Sequence, residues 1–151
     1  MAALPSELFP PRQEPEPLVG FLIKRLQHSL RRALDDSLRD LGLNTAHYVV
    51  LRELAPGPLS AAELARRAFV RPQAMAPLLE GLEERGLLVR SPHVEHRRVL
   101  EVRLTPQGRD LLSACQRRCD ELEERLLRGL GTHERESLLA ALQRCLRNMG
   151  S

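Results

Sequence analysis

The chain has 151 residues, with 23 Lys and Arg against 20 Asp and Glu, a net charge of +3, and 42% apolar residues. That is one domain's length, long enough to bury a core without staples and too apolar for a disordered chain. Three cysteines make no disulfide framework, no stretch is apolar enough to span a bilayer, and three Phe, one Tyr and no Trp exclude sheets that stack bases on aromatic platforms.

Five of the eleven prolines fall in the first 17 residues. They predict a flexible arm over 1–17, because proline fixes φ and supplies no amide donor. This opening has neither a basic start nor an apolar run, so no secretory leader is expected and the cytoplasm is the expected location. Val19, Leu22, Leu26, Leu30, Leu34, Leu38 and Leu41 then recur at helical spacing, with Lys24, Arg25, His28, Arg31, Arg32 and Asp35 opposite. The spacing predicts an amphipathic helix over 18–41, stopped by Gly42. Asn44 or Thr45 caps a second helix that Pro56-Gly57-Pro58 ends. Ser60 and Glu63 form a capping-box pattern that opens a third helix over 61–69. Pro72 opens a fourth, closed at Arg85 by Gly86 as a left-handed cap. Pro77 inside it removes a hydrogen bond at a cost of about 3 kcal/mol if uncompensated, which predicts a kink. Strands over 87–90 and 99–104 flank a polar loop and predict a hairpin. Thr105-Pro106 caps a long helix to about 128, and Thr132 caps a last one to about 149.

A capped short helix, a turn, a second helix and a hairpin, in that order, define a winged helix-turn-helix. The expected fold is mainly α with a small β-hairpin wing, in a single domain over 18–151. The winged core spans about 44–105. The long terminal helices, about 18–41 and 106–149, carry more Leu than such a core needs and are the expected dimerisation surface. In this architecture the second helix faces a major groove and the wing reaches the backbone or minor groove, so double-stranded DNA is the expected partner.

Four stretches sharpen this reading: Leu43-Asn-Thr-Ala-His-Tyr-Val-Val-Leu51, Leu59-Ser-Ala-Ala-Glu-Leu-Ala65, Leu82-Glu-Glu-Arg-Gly-Leu-Leu88, and the wing from Pro92 through His96-Arg97-Arg98 to Leu104-Thr-Pro-Gln-Gly108. In combination they resemble the MarR family of bacterial transcriptional regulators, over about 18–149. The resemblance implies a homodimer closed by the terminal helices, a palindromic DNA site, and a small-molecule or oxidant effector that releases the DNA. Two departures stand out. His96 occupies the place of an Asp that would orient the two wing arginines by a charged pair, so a looser wing is expected. The recognition helix, 72–84, has no Lys or Arg but carries Glu80, Glu83 and Glu84.

The candidate DNA-contacting residues follow from position and chemistry. Gln73 can read adenine bidentately, and Ala74, Ala76 and Pro77 can touch thymine methyls. His96, Arg97 and Arg98 fall at the wing tip, where a minor groove attracts guanidinium. Arg66, Arg67 and Arg71 cluster at the turn before the recognition helix and suit phosphates, though a solvated helix face explains them equally well. His47 and Tyr48 are the effector-pocket candidates, with a hydrogen-bonded core pair as the competing reading.

Cys115 and Cys119 lie four apart on one helix, with Cys145 on the last. Cβ atoms at that spacing lie about 5–6 Å apart, too far for a bridge that wants about 3.8 Å. Ligands at metal spacing are lacking too. Buried small apolar residues are the favoured reading of the thiols, and a redox sensor is the alternative. No catalytic motif, metal site or cofactor is expected. The sequence therefore reads as a non-enzymatic, homodimeric, effector-modulated DNA-binding regulator. The alternatives are a winged-helix dimer that has lost operator reading and acts through protein or ligand contacts, and a thiol-based redox regulator.

Overall fold

The computed structural model describes Glu16 and residues 18–150; apart from Glu16, the arm expected over 1–17 lies outside the described residues. Helix α1 covers Val19–Leu38, and a 3-10 turn, Arg39–Leu41, tightens its end before Gly42 reverses the chain at φ +67°. Glycine is favoured there because a Cβ crowds the left-handed region. Asn44 caps α2 (Thr45–Glu53): its side chain accepts from the His47 amide at 3.1 Å, and His47 Nδ1 accepts from the Asn44 amide at 3.2 Å. A histidine thus takes the part that Glu or Gln usually plays in a capping box. There follow β1 (Leu59–Ser60), α3 (Ala61–Arg67), α4 (Pro72–Glu84), β2 (Leu88–Pro92), β3 (Leu100–Leu104), α5 (Pro106–Leu126) and α6 (Thr132–Asn148).

The sheet has three strands where the pattern predicts two. β1 pairs antiparallel with β3, Leu59 opposite Val102 and Ser60 opposite Glu101, giving the order β1-β3-β2. Ser60 Oγ accepts from the Glu63 amide at 3.2 Å, but the Glu63 carboxylate turns to Arg66, so only half of the capping box forms. Helix α3 ends at Arg67, short of Phe69, which adopts φ +54° in the turn to α4. For a residue with a Cβ that conformation costs roughly 1–2 kcal/mol. Helix α4 continues through Pro77 to Glu84; Pro77 lies on the exposed face, where solvent can reach the Gln73 carbonyl that lacks its helical donor. Gly131, not Thr132, caps α6, and Glu134 reaches back to accept from the Gly131 amide at 2.8 Å.

The core joins Leu38 of α1, Leu51 of α2, Leu64 of α3, Leu79 and Leu82 of α4, Leu88 and Val102 of the sheet and Cys115 of α5, all at most 1% exposed. Around it, two corners interlock. Gly86, at φ +70°, turns the chain from α4 into β2, and its carbonyl accepts from Thr105 Oγ at 2.6 Å. The same hydroxyl accepts from the Gly108 amide at 3.0 Å and so caps α5. The Thr105 amide donates to the Leu87 carbonyl at 3.1 Å, and a Cβ on Gly108 would stand 2.0 Å from that oxygen. Only glycine fits. From the other side Arg85 donates to the carbonyls of Leu41 and Gly42, both at 2.9 Å, tying the end of α1 to this corner.

A second joint links α1 to α2. The Asp35 carboxylate accepts from both the amide and the hydroxyl of Thr45, each at 2.7 Å. These two bonds hold its pKa below the ordinary carboxylate value, against the opposing effect of desolvation. A carboxyl whose folded pKa is depressed adds stability that is present above its unfolded pKa and lost as pH falls through the folded one. Asp35→Ala is therefore expected to lower stability by about 1 kcal/mol near neutral pH. The gap to wild type should narrow as pH falls below about 4. Urea unfolding of both proteins from pH 7 to pH 3 checks this, and a gap independent of pH contradicts it.

Candidate nucleic-acid interface

The first turns of α4 present Gln73, Ala74, Ala76 and Pro77 to solvent, while Met75, Leu79 and Leu82 face the core. The division follows from helical periodicity: residues 75, 79 and 82 share one face, and 73, 74, 76 and 77 occupy the other. Arg71 precedes the helix as its N-cap in extended conformation and is itself exposed. It makes no ion pair among the described residues. Free amides and the dipole at that end add positive potential beside its guanidinium.

Further along, the helix is less acidic than its composition suggests. Arg90 of β2 donates to the Glu83 carboxylate through Nε at 2.8 Å and Nη2 at 2.5 Å, and its amide donates at 3.3 Å. This guanidinium holds the Glu83 carboxyl below its usual range. Glu80 and Glu84 stay exposed. On α3, Arg66 pairs with Glu63 at 2.6 Å and Arg67 with Glu53 at 2.9 Å. The structure thus gives these two arginines carboxylate partners and leaves Arg71 without one among the described residues.

The wing is ordered by a residue that the sequence pattern did not single out. His93 Nδ1 accepts from the amides of Glu95 at 3.0 Å and His96 at 3.1 Å. Its Nε2 meets Glu101 Oε1 at 3.2 Å, and Glu101 is also held by Arg103 at 3.1 Å. With Nδ1 accepting twice, the ring's proton sits on Nε2 and is donated to Glu101. The His96 ring stacks on that of His93 with centroids 5.3 Å apart. The looser wing expected from His96 is therefore offset by the loop's own imidazole, which folds it as an Asn or Asp side chain folds a turn. Arg97 and Arg98 project from this loop, exposed and without an ion-pair partner among the described residues.

Behind the winged region a cleft of about 560 Å³ opens between α1, α2, α5 and α6. Leu26, Leu30, Leu122 and Leu142 give it apolar walls, and Arg31, Arg52, Tyr48 and Gln116 give it polar groups. Its size suits a small organic molecule. The Tyr48 hydroxyl donates to Gln116 Oε1 at 2.9 Å, and burial pushes its pKa up. His47 does not line this cleft. It is committed to the α2 cap, and burial together with Arg85 lowers its pKa. Cys119 lines the cleft, Cys115 is fully buried and Cys145 is exposed on α6. Burial pushes the thiols of Cys115 and Cys119 up, away from the thiolate that oxidant chemistry requires. Among the described residues no three His, Cys, Asp or Glu side chains converge as a metal site, and no helix is long and apolar enough to cross a membrane.

A short helix, a turn, a second helix with an exposed first turn and a hairpin wing, in that order, make a winged helix-turn-helix of the DNA-binding kind. Known proteins narrow this further. A family model described as MarR family matches residues 41–99. The chain is 35% identical over 134 residues to the HTH-type transcriptional repressor Rv2887 of Mycobacterium tuberculosis, covering 88% of this chain and 94% of that one. The crystal structure of the M. tuberculosis MarR family protein Rv2887 in complex with salicylic acid superposes with a TM-score of 0.72 at 34% identity, covering 86% of this chain and 97% of that one. CouR from Rhodococcus jostii RHA1 bound to p-coumaroyl-CoA superposes with a TM-score of 0.77 at 25% identity, over 87% and 90% of the two chains. The chain belongs to the MarR family. It is a transcriptional regulator and not an enzyme.

The wing chemistry gives a direct test. His93→Ala removes the acceptor for two amides, and DNA affinity is expected to fall roughly three- to tenfold as Arg97 and Arg98 lose their placement. His93→Asn, whose Oδ1 can accept from the same two amides, should keep most of the affinity. Fluorescence titrations on one duplex at one salt concentration measure both; equal losses in Ala and Asn would show that the turn acceptor is not what matters.

Proposed function

We propose that the chain acts in the cytoplasm as a homodimeric repressor that binds a palindromic operator and leaves it when a small organic anion enters the cleft. The observation that carries this reading is the set of exposed side chains Arg71, Gln73, Ala74, Ala76 and Pro77 at the start of α4, together with exposed Arg97 and Arg98 on the wing. Gln73 offers bidentate hydrogen bonding to adenine, Ala74, Ala76 and Pro77 offer apolar contact to thymine, and the three arginines offer charge to phosphates or a narrow minor groove. Arg66, Arg67 and His96 stand at the edge of this surface, the first two in exposed pairs that phosphate can replace at little cost.

Dimerisation is supported by apolar residues left in solvent on both terminal helices: Phe21 is 64% exposed, Leu22 47%, Leu139 59% and Leu146 57%. A second copy is the natural cover for such a patch. The effector class is supported by a lining in which two guanidiniums, Arg31 and Arg52, outnumber the one carboxylate, Glu123, among leucine walls, a combination that suits an aromatic carboxylate. A relative crystallised with salicylic acid agrees with that chemistry, and one crystallised with p-coumaroyl-CoA, an aromatic acyl thioester, agrees with its apolar half. A second reading, a winged-helix dimer that no longer reads an operator, is favoured by Glu80 and Glu84 alone.

Operator reading is tested by selecting a duplex from a randomised pool and titrating Gln73→Ala on it and on a scrambled duplex. The variant is expected to lose about 1–3 kcal/mol on the selected duplex and much less on the scrambled one. Equal losses, or none, would favour the second reading. Light scattering at micromolar concentration should return the mass of a dimer; a monomer would remove the palindrome.

A further inference from the structure

Phe69 combines two features that folding alone does not account for. It is the one non-glycine residue with positive φ among the described residues, and its side chain is 96% exposed. The turn around it is closed by backbone hydrogen bonds, Ala68 to Leu64 at 2.9 Å and Val70 to Ala65 at 3.0 Å, which ask nothing of the side chain between them. Glycine would adopt the same turn without strain. The chain instead places a large apolar ring there, where it packs on nothing and its conformation is disfavoured. Backbone strain kept together with exposed apolar area points to a contact outside the molecule.

The surroundings identify what makes that contact. Phe69 lies between Arg66 and Arg71, both exposed, at the entrance to α4. A second copy of this chain meeting the same patch would bring like charges together. A DNA strand offers phosphates for the arginines and, between them, the apolar edge of a deoxyribose or a thymine methyl group for the ring.

We propose that Phe69 is a DNA-contacting residue of the operator complex, seating its ring on the apolar edge of the strand that borders α4. The proposal rests on the operator binding inferred above and adds to it an apolar, salt-independent contact that the charged residues do not supply. The strained turn then has a role, since it aims the ring away from the core and toward the nucleic acid.

The test uses the full chain and the duplex it selects from a randomised pool. Phe69→Gly should keep or raise the thermal midpoint, by roughly 2–4 °C, because strain is relieved and no internal contact is lost. The same variant should bind the duplex roughly tenfold more weakly, as expected for a lost apolar contact. The slope of log K against log salt should be unchanged, since no phosphate contact is removed. Phe69→Leu should keep most of the affinity. Replacing each thymine of the duplex by uracil in turn distinguishes the two sources. A position where loss of the methyl weakens wild type but not Phe69→Gly identifies a thymine; a loss that no position reproduces, and that appears equally on scrambled DNA, identifies the sugar edge. Wild-type affinity in Phe69→Gly overturns the proposal, and so does a loss of affinity accompanied by a lower midpoint. If the wild-type chain selects no duplex, the operator reading itself fails; if it selects one and Phe69→Gly binds it equally well, only the role of Phe69 fails.

Discussion

The Leu87 carbonyl occupies the point where the corner from α4 into β2 meets the corner from β3 into α5. It accepts the Thr105 amide, and Gly108 comes so close that a side chain there would overlap the oxygen. Gly86 turns the chain on one side of the contact, Thr105 caps α5 on the other, and Arg85 adds the end of α1 through two carbonyls. The segments Leu82-Glu-Glu-Arg-Gly-Leu-Leu88 and Leu104-Thr-Pro-Gln-Gly108, separate in sequence, each supply one half of this joint. The root of the recognition helix and the root of the wing are thereby fixed to the same stub of α5. A close backbone approach of this kind tolerates little variation, since carbon and oxygen cannot interpenetrate and the packed interior has nowhere to move.

Charge on the surface is organised by pairing more than by number. Glu83 is paired with Arg90 across the α4–β2 corner, and Arg66 and Arg67 are held by Glu63 and Glu53, whereas Arg71, Arg97 and Arg98 have no carboxylate partner among the described residues. A net charge of +3 spread evenly would attract nucleic acid weakly. Three such guanidiniums, Arg71 at the mouth of α4 and Arg97 and Arg98 on the wing, put positive charge where a duplex would approach, and the charges of Glu80 and Glu84 lie farther along the helix.

Helical periodicity, the Gly42 and Gly86 stops and the alternation in 99–104 were sufficient to place the long elements, because each buries one face and therefore repeats. What escaped the pattern is short or depends on partners distant in the chain. β1 is two residues long and exists only because β3 lies beside it. The pinning of Thr45 by Asp35 joins residues ten apart across a turn, and in the sequence Asp35 is merely one more polar residue on α1. His47 and Tyr48 look equivalent as neighbours, yet a helix turns about 100° per residue, so when one lines the cleft the other does not. His93 gave no signal as a turn acceptor, because imidazole is chosen for that part far less often than Asn or Asp. Phe69 reads as the last residue of a helix until its backbone angle is known.

The bond from Tyr48 to Gln116 has an optical consequence. The chain has one tyrosine and no tryptophan, so its tyrosine emission comes from a single phenol, and that phenol stands in the wall of the cleft. Its quantum yield depends on the acceptor its hydroxyl meets and on the guanidinium of Arg52 and the thiol of Cys119 that share the wall. A molecule entering between α1 and α5 would change the surroundings of that phenol. The protein therefore carries an unlabelled reporter in its own cleft, with no tryptophan or second tyrosine in the sequence to obscure the signal.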